Sequence, residues 1–193
     1  MKKDIILAGV GGQGILSIAA VIDRAALNNK LHFKQAEVHG MSQRGGDVQS
    51  HLRISSDIIY SDLISQGCAD LILAVEPLEA LRYLPFLSNS GWVVSALTPY
   101  NNIAYYPDDN SIRNALNKLP RKLLVEAEKI AREQGSSKTS NMVMLGAAAH
   151  LTGLSNASLE DAITWLFERK GEEIVSQNLA AFRAGLQAGK NQN

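Results

Sequence analysis

The chain has 193 residues, of which 46% are apolar and 20% are charged, and its 19 basic side chains balance 19 acidic ones. This length suits one domain with a proper hydrophobic core. The charge balance argues against nucleic acid as a partner, because nucleic-acid binders usually carry a basic excess on one face. Since no apolar run approaches the roughly 18 residues of a membrane span, we expect a soluble, cytoplasmic chain without a membrane partner.

Metal and nucleophile chemistry have little support in the sequence. Cys68 is the only cysteine, which excludes an internal disulfide and an iron–sulfur cluster held by four thiolates. His39 and His51 have no cysteine or carboxylate at ligand spacing, so no metal site is predicted, and His51 is expected to be solvated. Because nucleophile motifs and paired carboxylates are also missing, we assign no catalytic residue.

The first part of the chain predicts a strand, a glycine turn and a helix. Residues 5–8 are a continuous apolar run, glycines follow, and apolar residues then recur at helical spacing over 15–22. A second strand is predicted at 33–38. After a glycine-rich loop, residues 48–54 alternate between apolar and polar and predict a strand. Residues 58–60 predict a further short strand, which would complete a hairpin.

The remainder alternates strands with helices and then becomes helical. Strands are predicted at 70–75, 92–97 and 122–125, and helices at 76–84, 111–119 and 128–134. A small-residue helix follows at 142–149, closing at Gly153 and packed closely on a neighbour. Another begins with a cap at Ser158, and an amphipathic one covers 175–186. The Thr139–Asn141 cluster is expected to cap the first of these helices.

This order predicts a largely parallel, doubly wound, Rossmann-like α/β sheet with an inserted hairpin and a C-terminal helical segment. We expect one domain, with an α/β core at 1–140 and helices at 141–193.

Gly9, Gly11 and Gly14 form a G-x-G-x-x-G turn between the first strand and helix. Such glycines allow a tight turn and close backbone approach, and the helix N-terminus offers N–H groups to phosphate. The turn is not a P-loop, because Ile15 stands where the lysine would be. Glu37 lies roughly where a dinucleotide fold holds a ribose. Three interpretations stay open: packing of the helix on the sheet, a phosphate-bearing ligand, or NAD or FAD.

A second glycine-rich loop contains Ser42, Gln43, Arg44, Gly45 and Gly46. An arginine flanked by glycines can present a charged fork together with backbone donors, which suits a phosphate, a carboxylate or a partner's acidic loop. The alternative is an ordinary polar connection with a solvated Arg44.

Three strings in order carry a resemblance to a known family: GVGGQGI at 9–15, EVHGMSQRGG at 37–46 and NMVMLG at 141–146. They resemble the small, gamma-type subunit of 2-oxoacid:ferredoxin oxidoreductases. The second string is most similar to the beta subunit of indolepyruvate:ferredoxin oxidoreductase. The resemblance runs from about Lys3 to Gly153, and the helical tail adds little to it.

The resemblance implies a heteromeric complex in which thiamine diphosphate and the iron–sulfur clusters belong to a larger alpha subunit. A 2-oxoacid is decarboxylated on thiamine, electrons pass to ferredoxin, and coenzyme A takes the acyl group. The small subunit would bind no cofactor alone, but would cover the site and help to bind coenzyme A. The residues predicted to line that site are Gly9, Gly11, Gly12, Gln13, Gly14, Ser42, Gln43, Arg44, Gly45 and Gly46.

Within this family the second string favours arylpyruvates such as indolepyruvate, while pyruvate, branched 2-oxoacids and 2-oxoglutarate stay open. Two other classes also remain. A free-standing NAD(P)-dependent oxidoreductase is favoured by the glycine turn and Glu37, and opposed by the hairpin that replaces a crossover helix. A non-catalytic nucleotide-binding scaffold would bind an adenosine phosphate outside any thiamine complex.

Overall fold

A computed structural model describes residues 1–40, 45–101 and 103–191, except for the side chain of His39. Within these ranges the chain forms a six-stranded sheet and seven α-helices. The strands are β1 (Lys2–Val10), β2 (His32–His39), β3 (Asp47–Ser55), β4 (Ala69–Ala74), β5 (Leu87–Ala96) and β6 (Lys122–Val125). The helices are α1 (Ile15–Asn28), α2 (Pro77–Arg82), α3 (Asp109–Asn117), α4 (Ala127–Glu133), α5 (Ser140–Thr152), α6 (Asn156–Phe167) and α7 (Glu172–Lys190).

The strand order across the sheet is β2-β3-β1-β4-β5-β6. The pairs β1–β4, β4–β5 and β5–β6 are parallel, whereas β3 runs antiparallel to both of its neighbours, β1 and β2. The predicted largely parallel α/β sheet is therefore confirmed, with an antiparallel strand inserted beside its first strand.

Helices cover both faces of the sheet, because successive side chains of a buried strand point in opposite directions. Ile5 and Leu7 of β1 pack with α1 and α4–α7, while Ile6 and Ala8 pack with α2 and α3. The connection after β1 thus crosses one face and the connection after β4 crosses the other. In sheets of this kind such a switch opens a crevice at the carboxyl ends of the two strands.

Helices α5 and α7 cross with their backbones almost in contact. A Cβ atom on Gly146 would lie 2.1 Å from the carbonyl oxygen of Phe182, and one on Gly185 would lie 2.1 Å from the carbonyl oxygen of Val143. The predicted close packing of the small-residue helix is confirmed, and Gly153 ends it in the left-handed conformation, at φ 79°.

The predicted strand at 58–60 is wrong. Both edges of β3 are already paired, with β1 and β2, so the hairpin is β2–β3 and β3 has no free edge for a strand at 58–60. Residues 56–68 instead form an irregular segment over the β3 face that carries His51. The Arg53 side chain donates to the carbonyl oxygens of Ser61 and Leu63, at 3.0 and 3.1 Å.

The sequence predicted a solvated His51, but the structure buries His51 under this segment. Its Nδ1 accepts the N–H of Ile64 at 3.0 Å, and its ring packs edge-on against Phe86. Burial, together with the charge of Arg53, lowers the pKa of His51 below its usual value of 6.5.

The predicted helix cap at Ser158 is displaced by one turn. Ser155 is the N-cap of α6, and its hydroxyl accepts the N–H of Ser158 at 3.1 Å. The Ser158 hydroxyl is engaged with α1 instead, since it accepts from Asn29 Nδ2 at 2.6 Å. In the described ranges no helix is long and apolar enough to cross a membrane.

Candidate functional site

The predicted glycine turn lies at the carboxyl end of β1, where α1 begins. Gly12 and Gly14 have φ angles of 100° and 78°, so both occupy the left-handed region that favours glycine. Gly9 is buried, and a Cβ atom there would lie 2.4 Å from a methyl group of Val75. Gly9 therefore allows the turn to pack on the residue that follows β4, while Gly12 is exposed.

Gln13 stabilises the glycine turn through hydrogen bonds of its side-chain amide. Its Oε1 accepts the N–H of Val10 at 2.8 Å, and its Nε2 lies 3.4 Å from the Val75 carbonyl oxygen, to which it donates. The amide thus links the carboxyl ends of β1 and β4, the two strands between which the crevice opens. Both of its polar atoms are engaged inside the protein.

The second glycine-rich loop meets the first at this edge. The N–H of Gly11 donates to the Gly46 carbonyl oxygen at 2.8 Å, and the N–H of Gly45 donates to the Gly11 carbonyl oxygen at 3.5 Å. The predicted site residues Ser42, Gln43 and Arg44 lie outside the described residues. What the structure brings together is therefore the turn and the Gly45–Gly46 end of the loop.

Asn141, from the third string, completes the contact. Its Nδ2 donates to the Gly14 carbonyl oxygen at 3.2 Å, and a Cβ atom on Gly14 would lie 2.5 Å from that same nitrogen. The predicted cap is made in part: Thr139 is the N-cap of α5 without a side-chain hydrogen bond, while Asn141 Oδ1 accepts the first-turn N–H of Met142 at 2.9 Å. Asn141 also ties the start of α5 to the glycine turn.

A buried carboxylate that the sequence analysis missed follows β4. Glu76 is only 1% exposed and caps α2, with Oε2 accepting the N–H of Glu79 at 2.9 Å. Its Oε1 accepts the N–H of Tyr100, at 3.2 Å, and the hydroxyl of Tyr106. Burial and the hydrogen bond to Glu76 raise the pKa of Tyr106 well above its ordinary value of 10. The Glu-Pro start of the predicted helix could have suggested a cap, but not this network.

Helix α2 also reaches the second loop. The Tyr83 hydroxyl donates to Asp47, the residue after Gly46, with 3.4 Å between the oxygens. Burial and the carboxylates around it raise the pKa of Tyr83 to about 12, so it stays a donor at neutral pH. Glu79 pairs with Arg82 at 2.8 Å, and burial nevertheless raises the Glu79 pKa above its ordinary value.

Glu37 does not occupy the position that a dinucleotide fold requires. It lies on β2, opposite Ser50, and β3 separates its strand from β1. In a dinucleotide site the ribose-binding acid ends the strand next to the glycine turn. Among the described residues, moreover, no three histidine, cysteine, aspartate or glutamate side chains are grouped to hold a metal ion.

The family is shown by comparison with known proteins. Residues 4–188 match the family described as pyruvate ferredoxin/flavodoxin oxidoreductase, and the chain belongs to it. The resemblance expected from the three strings is confirmed, and with it an oxidoreductase class. The match also covers the C-terminal helices, which the strings alone did not include.

Relatives align over nearly the whole chain. The indolepyruvate oxidoreductase subunit IorB of Methanothermobacter thermautotrophicus is 37% identical over 97% of this chain and 98% of its own length. The IorB subunit of Thermococcus kodakarensis is 34% identical, over 98% of each chain. This chain is thus similar in both sequence and length to two subunits named indolepyruvate oxidoreductase subunit IorB.

Two solved structures share the fold. The gamma subunit of a keto/oxoacid ferredoxin oxidoreductase from Geobacter sulfurreducens superposes with a TM-score of 0.72 at 24% identity, covering 98% of this chain and 99% of that one. The 2-oxoglutarate:ferredoxin oxidoreductase of Magnetococcus marinus, solved with 2-oxoglutarate, coenzyme A and succinyl-CoA, has a TM-score of 0.78 at 24% identity. There the match covers 98% of this chain but only 31% of the larger one.

Proposed function

We propose that this chain is the small subunit of an arylpyruvate, and specifically indolepyruvate, ferredoxin oxidoreductase, and that it supports coenzyme A-dependent oxidative decarboxylation to acyl-CoA, CO₂ and reduced ferredoxin. The observation that carries the proposal is the convergence of the three family strings at one edge of the sheet. Gly11 contacts Gly46, and Asn141 contacts Gly14. Residues far apart in sequence thus build one glycine-lined edge.

The choice of substrate follows the relatives. Those named indolepyruvate oxidoreductase subunits are 34–37% identical to this chain. A ketoisovalerate oxidoreductase subunit is 28% identical, and a 2-oxoglutarate synthase subunit 30% identical. This ranking supports an arylpyruvate over a branched or dicarboxylic 2-oxoacid.

On this proposal the hard chemistry belongs to a larger alpha subunit. Thiamine diphosphate and iron–sulfur clusters there would supply decarboxylation and single-electron transfer. The chain itself carries a single cysteine, Cys68. Its own contribution is to position coenzyme A and to exclude water when the site closes. The complex is placed in the cytoplasm, and the chain acts in it as a single gamma-type domain.

The residues proposed to face coenzyme A are those at the shared edge. The start of α1 offers backbone N–H groups, and its N-cap Gly14 brings them close to a phosphate. Gly11, Gly12, Gly45 and Gly46 would line the edge, with Gly9 and Gln13 holding the turn in place. Ser42, Gln43 and above all Arg44 would add side-chain donors, with the Arg44 guanidinium matching phosphate geometry.

An anaerobic pull-down from the native extract tests this function. A larger protein with bound thiamine diphosphate and iron–sulfur absorbance should co-purify, and the complex should reduce a viologen dye with arylpyruvates only when coenzyme A is present. Arg44→Ala should raise the KM for coenzyme A or weaken assembly. The matched control is Arg169→Ala, at an exposed arginine in the turn between α6 and α7. A lone chain that binds NAD(P) would overturn the proposal.

A further inference from the structure

Burial of the Glu76 carboxylate carries a free-energy cost for this fold. Its side chain is almost wholly buried, yet its partners among the described residues are a hydroxyl and two backbone N–H groups rather than a basic side chain. The nearby Arg82 pairs with Glu79 instead. Burying a carboxylate without a cation is expensive, and neutral donors offset only part of that cost. A carboxylate that is buried without a basic partner indicates a specific role for Glu76.

The carboxylate joins two ends of one surface segment. Tyr100 donates its backbone N–H to Oε1, and Tyr106 donates its hydroxyl to the same oxygen. Both residues belong to the connection between β5 and α3, in which Asn102 lies outside the described residues. Tyr105, next to Tyr106, has its side chain 94% exposed. One buried atom therefore fixes the backbone on which a fully exposed aromatic ring stands.

The same strand end holds the glycine turn. Val75, the residue before Glu76, accepts the amide of Gln13 through its carbonyl oxygen. Two consecutive residues after β4 thus bind the turn on one side and the tyrosine-bearing connection on the other. Leu16, in the first turn of α1, is 54% exposed at the same edge. Because β1, β4 and β5 are parallel, their carboxyl ends lie at one edge of the sheet. The connection that carries Tyr105 therefore starts at the edge assigned above to coenzyme A and the larger subunit.

We infer that Glu76 is a positioning residue, whose carboxylate holds Tyr100 and Tyr106 so that Tyr105 is presented to the larger subunit beside the glycine turn. The inference rests on the proposed function, which supplies the larger subunit as the partner. Exposed tyrosines on an ordered backbone are typical anchors of protein interfaces, because little entropy is lost when they are buried. Without the carboxylate, docking would first have to order this connection.

The test uses the complete complex, assembled from the wild-type larger subunit and variants of this chain. Tyr106→Phe removes one donor to Glu76 and keeps the ring, and Tyr105→Ala removes the proposed anchor. Each should raise both the concentration of larger subunit needed for half-assembly and the KM for coenzyme A, by about five- to tenfold. The kcat at saturation should stay unchanged. Tyr60→Phe, at a tyrosine 89% exposed in the 56–68 segment, is the matched control and should change neither quantity.

Glu76→Ala sharpens the assignment, because it removes the oxygen that accepts from both Tyr100 and Tyr106. It should reproduce the Tyr106→Phe effect. If it fails to fold, the two tyrosine variants still decide. Unchanged assembly and unchanged KM in both tyrosine variants, alongside a raised KM in Arg44→Ala, would overturn this inference and leave the proposed function standing. A wild-type chain that never joins a larger subunit would overturn both.

Discussion

Replacing Gly185 with alanine should lower the free energy of unfolding by about 2 kcal/mol. The added methyl group would lie 2.1 Å from the Val143 carbonyl oxygen and 2.9 Å from its carbonyl carbon. Because the obstacle is backbone rather than a movable side chain, α5 and α7 must separate by about 1 Å. Overpacking of this kind costs about 3 kcal/mol at the upper end of its usual range. The better helix propensity of alanine offsets about 1 kcal/mol of this overpacking cost.

Urea unfolding followed by circular dichroism measures this difference, and a thermal scan should show a melting temperature lower by about 4–8 °C. Ser176→Ala, on the exposed face of the same helix, is the control for helix propensity and should be neutral or slightly stabilising. A Gly185→Ala chain as stable as the wild type would refute the claim that the helix crossing has no room for a side chain.

Two further predictions concern the 56–68 segment and the ion pair that holds it. The lowered pKa of His51 means that the folded state binds fewer protons than the unfolded state just below pH 6.5, so stability should decrease as the pH falls through that range. His51→Asn keeps an acceptor for Ile64, and its urea midpoint should decrease less than that of the wild type between about pH 7.5 and pH 5.5. Arg53→Met leaves Asp4 buried with only the Lys2 ion pair at 3.2 Å, and should cost about 3 kcal/mol in urea unfolding.

Controls separate these effects from general damage. His32→Gln, at an exposed histidine of β2, should leave the pH dependence of the wild type unchanged. An equal fall in midpoint for His51→Asn and the wild type would rule His51 out as its source. For the ion pair, the double variant Arg53→Met/Asp4→Leu should be more stable than Arg53→Met alone, because the buried carboxylate that has lost its arginine is gone. A further loss in the double variant would contradict that account.

Local patterns predicted the parts of the fold that depend on neighbours in sequence. The apolar run of β1, the glycines after it and the helical spacing from Ile15 together specify a strand, turn and helix without reference to the rest of the chain. The Gly146 helix was also predictable, because a run of small residues can be satisfied only by a close neighbour. In both cases the residues themselves restrict the backbone.

Pairing across the sheet could not be predicted in the same way. The alternation of β3 shows a strand with two different faces, but not which strands flank it. Its insertion between β1 and β2 leaves no edge of β3 for residues 58–60. This order also removes Glu37 from the neighbourhood of β1. Strand order is decided by contacts between distant segments, which a local pattern does not contain.

The same distinction applies to the candidate site: local patterns predicted its glycines, but they missed residues that act on distant partners. The glycines of the turn were predicted because a positive φ, as at Gly12 and Gly14, demands glycine. Asn141 and Glu76 were missed as site residues, because each acts on a partner far away in sequence: Asn141 on Gly14, and Glu76 on Tyr106. A polar residue at a helix start predicts a cap in the first instance, and only the folded chain shows its other partners.

On the proposed function, this chain makes the larger subunit's reaction dependent on coenzyme A at a shared edge. The most direct measurement is anaerobic reduction of a viologen dye by the purified larger subunit with indolepyruvate, with and without this chain and across a coenzyme A titration. We expect saturable, coenzyme A-dependent reduction only when the chain is present. An equal rate and an equal KM for coenzyme A without the chain would contradict it.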